Sequence, residues 1–310
     1  MSKSDHTPIL LHLHLPKTAG GSLNRIIYSQ VASTDDPIEE ENSIYRGVYH
    51  YSPLQRPVTL RKPVLDIHPD AIEILRTRNL KAIIGHFTFG IHQYLSGNST
   101  YVTLLRNPVD RIISLYFHYT RKLGKQPEGK PSLAQFLSGF SLPAKGLQEM
   151  QLITDNDQTR RISGLESSSG KCTNAMLKAA KRNLKSHFSV VGVTDRFDET
   201  VVLLQREFGW SDSYRYWPAH VARARSEQTD VDEQTLDRIR ELNEFDFALY
   251  EFAKALMIEQ IARSGTDFER DLSIFRSERA RLMKRARHEV PDAVEQVEAV
   301  RRRVERDSQL

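Results

Sequence analysis

The stretch Ile9-Leu10-Leu11-His12-Leu13-His14-Leu15, followed by Pro16-Lys17-Thr18-Ala19-Gly20-Gly21-Ser22, reads as a buried strand, a tight turn and the start of a helix. A strand that feeds a helix needs a parallel neighbour to return to, and a strand covered on both faces reads as a nearly continuous apolar run. The same pattern recurs at Tyr101-Val102-Thr103-Leu104-Leu105, which is closed by Arg106. There Asn107 suits the N-cap and Pro108 the first position of a helix running to Leu123. Further strands are expected at Ala82–His86 and Ser189–Val193. Helices are expected at Asp70–Arg78, Ser132–Leu137, Asn174–Leu184 and Asp198–Phe208. Strands alternating with helices specify an α/β chain with a central parallel sheet flanked by helices.

Two regions fall outside that alternation. Residues 33–64 are rich in Pro, Asp, Glu and Tyr, have no sustained period, and read as a long irregular excursion. Ser167-Ser168-Ser169-Gly170 marks another loop. From Asp232 to Arg263, Leu236, Ile239, Leu242, Phe245, Leu249, Phe252 and Leu256 recur at helical spacing, as one long amphipathic helix or two shorter ones. Phe268, Leu272, Phe275 and Leu282 carry the spacing into a charged helix broken near Pro291, with a last helix from Asp292 to Arg306. We therefore divide the chain into a main domain, 1–264, and a charged helical extension, 265–310, through which a homodimer could form.

At 310 residues with 39% hydrophobic content, the chain is long enough for one large core. The net charge is +4, and Arg276 to Leu310 holds 10 Lys/Arg against 7 Asp/Glu, a surplus of 3. Because both signs alternate closely, this tail reads as a solvated face, and no nucleic-acid partner is expected. No apolar stretch approaches the roughly 18 to 20 residues of a membrane span, and Met1–His6, running straight into the first strand, is not expected to be a signal peptide. Cys172 is the single cysteine, so no intrachain disulfide is available. These features together predict a cytoplasmic protein.

The chemistry-bearing residues sit at the strand ends. Gly20 and Gly21 let backbone N–H groups approach an anion, the helix from about Ser22 offers the positive end of its dipole, and Lys17 adds a full charge. The lysine precedes the glycines, unlike the common P-loop, where it follows the second glycine. Arg106 lies at the carboxyl end of its strand, where open α/β sheets bind ligands, and Ser114 lies about two turns into the next helix. A guanidinium fork and a hydroxyl can share one phosphate. Each segment alone also suits an ordinary turn or a surface ion pair.

Together, Pro16–Ser22 and Leu105-Arg106-Asn107-Pro108-Val109-Asp110-Arg111 through Ser114 resemble the donor motifs of sulfotransferases that use 3′-phosphoadenosine-5′-phosphosulfate (PAPS). The likeness is to the glycan branch that includes the heparan sulfate 2-O- and 6-O-sulfotransferases, in a soluble, bacterial-type form. It continues through Gly85-His86-Phe87, Asp155–Arg160, Val191–Asp198 and Leu249–Ala253, covering roughly residues 8 to 258. Enzymes of that kind in animals sit behind a membrane anchor and often carry disulfides, features not expected of this chain.

The resemblance implies a single P-loop-like domain and in-line sulfuryl transfer from PAPS to an acceptor hydroxyl on a carbohydrate or a small molecule. It implies that Lys17, Thr18, Ala19, Gly20, Gly21 and Ser22 hold the 5′-phosphosulfate, with Lys17 also meeting the charge that develops on the bridging oxygen. Arg106 and Ser114 would hold the 3′-phosphate, and His86 would be the base. Gln158, Thr159 and Arg160 would face the acceptor, with Arg161 adding a neighbouring charge. Trp210, Tyr216 and Trp217 suit either sugar stacking or packing. No metal is required by such chemistry, although His12, His14 and His86 raise a zinc site as an alternative. A nucleotide-dependent kinase would share the loop but needs a Walker lysine and an acidic Mg²⁺ ligand. A non-catalytic nucleotide- or nucleic-acid-binding module is the third reading.

Overall fold

The structure is a computed structural model and describes residues 7–39, 43–51, 69–123, 131–138, 151–165, 171–210 and 231–289. Its sheet comprises β1 (Ile9–Leu13), β2 (Ile38–Glu39), β3 (Ile44–Tyr45), β4 (Val48–Tyr51), β5 (Ala82–Gly85), β6 (Ser99–Leu105) and β7 (Phe188–Val193). They lie in the order β2-β3-β4-β5-β1-β6-β7. The run β4-β5-β1-β6-β7 is parallel throughout, and only the β2-β3-β4 edge is antiparallel. The helices are α1 (Gly20–Val31), α2 (Pro69–Thr77), α3 (Pro108–Leu123), α4 (Leu133–Ser138), α5 (Asp157–Ser163), α6 (Asn174–His187), α7 (Phe197–Phe208), α8 (Glu233–Leu242), α9 (Glu244–Arg263) and α10 (Phe268–Glu289). The α/β architecture with a parallel sheet flanked by helices is the one the alternating pattern specified.

β1 is central because almost every residue in it can be buried. Leu10, Leu11, His12 and Leu13 all lie within the core, and β5 and β6 hydrogen-bond to it on either side. This places the turn after β1, the Gly85-His86 exit of β5 and the Arg106 exit of β6 next to one another at the carboxyl ends of three adjacent strands. A parallel sheet presents its ligand-binding crevice at this edge.

One expectation fails in the excursion. Residues 33–64 were expected to be irregular, yet they contain β2, β3 and β4, and β4 is a core strand with Val48 and Tyr49 buried. Val48-Tyr49-His50-Tyr51 is too short and too polar for its period to stand out, and pairing with β5 supplies what local propensity lacks. Residues 52–64 lie outside the described residues, as do Ser167–Gly170, Tyr216, Trp217 and the predicted final helix.

The long pattern from Asp232 resolves into two helices, α8 and α9, joined at Asn243. The apolar stripe of α10, formed by Phe268, Leu272 and Phe275, is buried in the same core as the sheet. The boundary drawn at 264 therefore falls at the turn between α9 and α10. With that stripe spent within its own chain, nothing among the described residues supports a dimer through these helices. Arg276 and Arg279 pair with Asp198, and Arg206 pairs with Asp271, tying α10 to α7. Among the described residues, no helix is long and apolar enough to cross a membrane.

Candidate active site

The turn after β1 is built around two residues in the left-handed region, Lys17 (φ 68°) and Ala19 (φ 66°). Thr18, fully buried between them, donates from its hydroxyl to the Leu15 carbonyl at 2.9 Å and closes the turn on itself. Ser22 N–H and Leu23 N–H both turn back to the Ala19 carbonyl, at 3.0 and 3.3 Å. The amides ahead of them therefore head α1, where the helix carries its positive partial charge.

Arg106 leaves β6 beside this turn. Its Nη1 donates to the Lys17 carbonyl at 3.1 Å, which joins the two predicted motifs directly. Its Nε is buried without an acceptor among the described residues. Burial lowers the pKa of this guanidinium, while the Asp110 and Asp195 charges oppose that shift. A buried guanidinium N–H with no acceptor fits a site whose missing partner is an anion. Ser114 lies two turns along α3 and is half-buried. Thr194, at the end of β7, reaches both loops: its hydroxyl lies 3.2 Å from the Thr18 carbonyl and 3.1 Å from that of Leu105. The sequence offered no sign of that bridge beyond a threonine at a strand end.

His86 follows β5 through Gly85, whose φ of 155° brings it against the Tyr51 carbonyl; a Cβ there would lie 2.0 Å from that oxygen. Only glycine makes this exit. His86 Nδ1 lies 2.7 Å from the His14 carbonyl oxygen, which can only accept, so Nδ1 carries the proton. In the neutral ring Nε2 is then the atom with a lone pair, as a general base requires. Burial lowers the imidazole to about 4, with the Arg161 charge the next contribution in the same direction.

Asp155–Arg161 is where placement differs most from the acceptor-facing role expected. Gln158 is fully buried and clamps the Arg106 peptide, accepting from its N–H and donating to its carbonyl, both at 3.0 Å. Arg160 turns inward and donates to the Leu152 carbonyl. Thr159 is buried, with its N–H on Asp246 at 2.7 Å. Of these four residues, Arg161 borders His86. It donates to the His86 carbonyl at 3.3 Å and pairs with Asp157 at 2.9 Å.

Behind these residues, two helix starts cap each other. Asp246 in the first turn of α9 accepts from Gln158 N–H and Thr159 N–H in the first turn of α5, at 3.2 and 2.7 Å. In return, the Asn156 amide oxygen ahead of α5 accepts from Phe245 N–H and Asp246 N–H, at 2.9 and 3.1 Å. Each carboxylate or amide satisfies donors that a helix start leaves unpaired. Burial raises the Asp246 carboxyl, and the buried Arg111 guanidinium opposes that rise.

The three histidines do lie together, His12 stacked on His14 with ring centres 5.4 Å apart and His86 tilted against His14 at 4.3 Å. Among the described residues, no group of three His, Cys, Asp or Glu has the geometry to hold a metal ion. Trp210 stacks on Phe208 with centres 5.2 Å apart and packs on the core, so the side chain serves packing.

Comparison with known proteins identifies the family of the chain. The galactose-3-O-sulfotransferase family model matches residues 66–306. The chain belongs to that family. The match takes in β5, His86, Arg106 and α5, and runs through α10 beyond the reach of the motifs quoted above. Galactose-3-O-sulfotransferase 3 of Mus musculus is 26% identical over 67% of this chain and 50% of its own length. Heparan-sulfate 6-O-sulfotransferase 2 of Danio rerio is 30% identical over 53% of this chain and 39% of its own. The human 6-O-sulfotransferase 1 is 29% identical over 50% of this chain and 43% of its own. The chain thus spans half or less of the length of these relatives, all of them glycan sulfotransferases by name.

Proposed function

We propose that this chain transfers a sulfuryl group from PAPS to a hydroxyl on a carbohydrate. The observation that carries the reading is the join between the two motifs, with Arg106 hydrogen-bonded to the Lys17 carbonyl while its buried Nε has no acceptor among the described residues. An anion seated between the head of α1 and Arg106 would satisfy that donor and both positive fields at once. A 3′-phosphate at Arg106 and Ser114, together with a 5′-phosphosulfate at Lys17 to Ser22, separates PAPS from ATP, which has no 3′-phosphate.

In the transfer, the acceptor oxygen attacks sulfur in line as the bond from sulfur to the bridging oxygen breaks. The hydroxyl proton passes to His86 Nε2, and the departing electron pair stays on the 5′-phosphate of the bisphosphate product. Lys17 and the amides at the head of α1 offset that charge. A base held near 4 is neutral at pH 7, and the donor's negative charges raise its proton affinity as they arrive beside it. Arg161, bordering His86, suits an anionic substituent on the acceptor. The carbohydrate assignment is supported by the names of the relatives. A cytoplasmic location belongs to the same proposal, supported by the single cysteine, and cell fractionation tests it.

The deciding experiment is calorimetric binding of 3′,5′-adenosine bisphosphate against ADP and ATP, to the wild type and to Arg106→Ala. A preference for the bisphosphate that disappears in the variant is expected. Equal or tighter binding of ATP would overturn the reading.

A further inference from the structure

Gly20 is surrounded in a way that an anion cradle does not explain. A Cβ on this residue would lie 1.9 Å from His14 Cδ2 and 2.2 Å from His14 Nε2, whereas a Cβ on Gly21 would meet nothing within 4 Å. The two glycines are therefore not equivalent. Gly20 carries no positive φ, so its conformation alone does not demand glycine. What demands it is the His14 ring. That ring cannot swing aside freely, because His12 stacks on one side of it at 5.4 Å and His86 lies against it at 4.3 Å.

His14 also holds His86 through its backbone, since its carbonyl accepts the His86 Nδ1 proton at 2.7 Å. Its own N–H bonds to the Gly85 carbonyl at 2.9 Å, at the exit that delivers His86. One residue thus touches the helix-head glycine of the donor loop with its ring and the base with both ring and backbone.

We propose that His14 is a positioning residue that interlocks the donor loop with the base, and that Gly20 is glycine to admit the His14 ring. Seating of the loop and orientation of His86 are then a single event, and His14 keeps the base in a dry, low-proton-affinity environment until donor arrives. The groups facing His86 are His14 and, through it, His12 from β1, Lys17 from the loop, and Asp157 and Arg161 from α5. The role of His86 in this inference rests on the sulfotransferase reading; the packing of Gly20 against His14 does not.

The test is a cycle of Gly20→Ala, His14→Ala and the double variant, with His14→Phe as the conservative replacement. Gly20→Ala should weaken 3′,5′-adenosine bisphosphate binding at least tenfold and lower the melting temperature. The double variant should bind within about threefold of His14→Ala, because the obstructing ring has gone. His14→Ala should keep most of the bisphosphate affinity but move the acid limb of kcat/KM toward the ordinary histidine value of about 6.5, as water reaches His86. His14→Phe, which keeps a ring between Gly20 and His86, should leave that limb near the wild-type position. A double variant that binds no better than Gly20→Ala, or that fails to fold, overturns the interlock. So does an acid limb that His14→Ala leaves unmoved. Failure of the wild type to bind the bisphosphate would instead overturn the sulfotransferase reading, and recovery of the Gly20→Ala melting temperature in the double variant would then decide the packing claim alone.

Discussion

The turn Lys17–Ser22 and the segment Asp155–Arg161 are both short, polar and set at the same edge of the sheet, yet they spend their polar groups in opposite directions. The turn heads α1 with backbone amides, and the arginine it holds has a buried donor with no acceptor among the described residues. The segment turns its groups inward: both polar atoms of the Gln158 amide are engaged on Arg106, Asp157 holds Arg161 and faces Arg111, and Arg160 ends on a backbone carbonyl. Polar density by itself therefore does not mark a ligand contact. Neither region is fully satisfied, since Asp157 Oδ2, Thr159 Oγ1 and Arg160 Nη1 are also buried without a hydrogen-bond partner among the described residues. What separates the two is direction, the turn setting the Arg106 guanidinium beside a helix head at the strand ends and the segment aiming its groups at the chain's own backbone and at α9.

The largest expected effect falls on the loop side and follows from its histidines. His12 and His86 are each held at about 4 against an ordinary 6.5, with burial the leading cause in both. The unfolded chain binds their protons first as pH falls, so their stability contribution is complete above about 6.5 and is lost between 6.5 and 4. Each is worth up to about 3 kcal/mol. Urea unfolding at pH 8, 6 and 5 should show the decline, and His86→Gln should make it shallower. A flat profile would break the claim that the loop side carries buried neutral imidazoles.

Asp246→Ala should come next, with a loss of about 3 kcal/mol, because two buried N–H groups at the start of α5 lose their acceptors. Urea midpoints would measure it. A variant with unchanged stability but no donor binding would move Asp246 from scaffold to ligand contact. Arg106→Ala should reverse the pattern. Its stability should fall by only about 1 kcal/mol, for the bond to the Lys17 carbonyl, while bisphosphate affinity falls on the order of a hundredfold, as for a lost charge-assisted fork. Equal losses of folding and binding would erase the contrast between the two regions. The smallest effect is expected from Tyr250→Phe, which removes a 2.6 Å bond to Asp195 and should cost about 1 kcal/mol in thermal unfolding.

The sequence displayed the loop-side half of this site well. Strand, glycine turn and helix are local patterns, and so are Arg106 at a strand end and His86 after Gly85, because topology alone carries them to one edge. The scaffold half was not legible. Gln158 meets Arg106 across 52 positions, Asp246 meets Gln158 across 88, and Thr194 meets Thr18 across 176, so no local period announces any of them. The fold followed a similar rule. α3 was placed to the residue by its cap and proline, whereas β4 was missed because pairing with β5, not its own composition, makes it a strand.

The mutual capping of α5 and α9 bears on when this protein becomes competent during its synthesis. The cap on α5 comes from residue 246, so a nascent chain that has already made β1, β6 and the whole of α5 still lacks the acceptors for Gln158 and Thr159. Until α9 emerges, the glutamine that fixes Arg106 stands on an uncapped helix of seven residues, too short to persist alone. The Gln158 clamp on Arg106 therefore awaits α9, and a ribosome-bound fragment ending before Asp246 is expected to contain Lys17 to Ser22, Arg106 and Ser114 without the cap that holds α5 beside them.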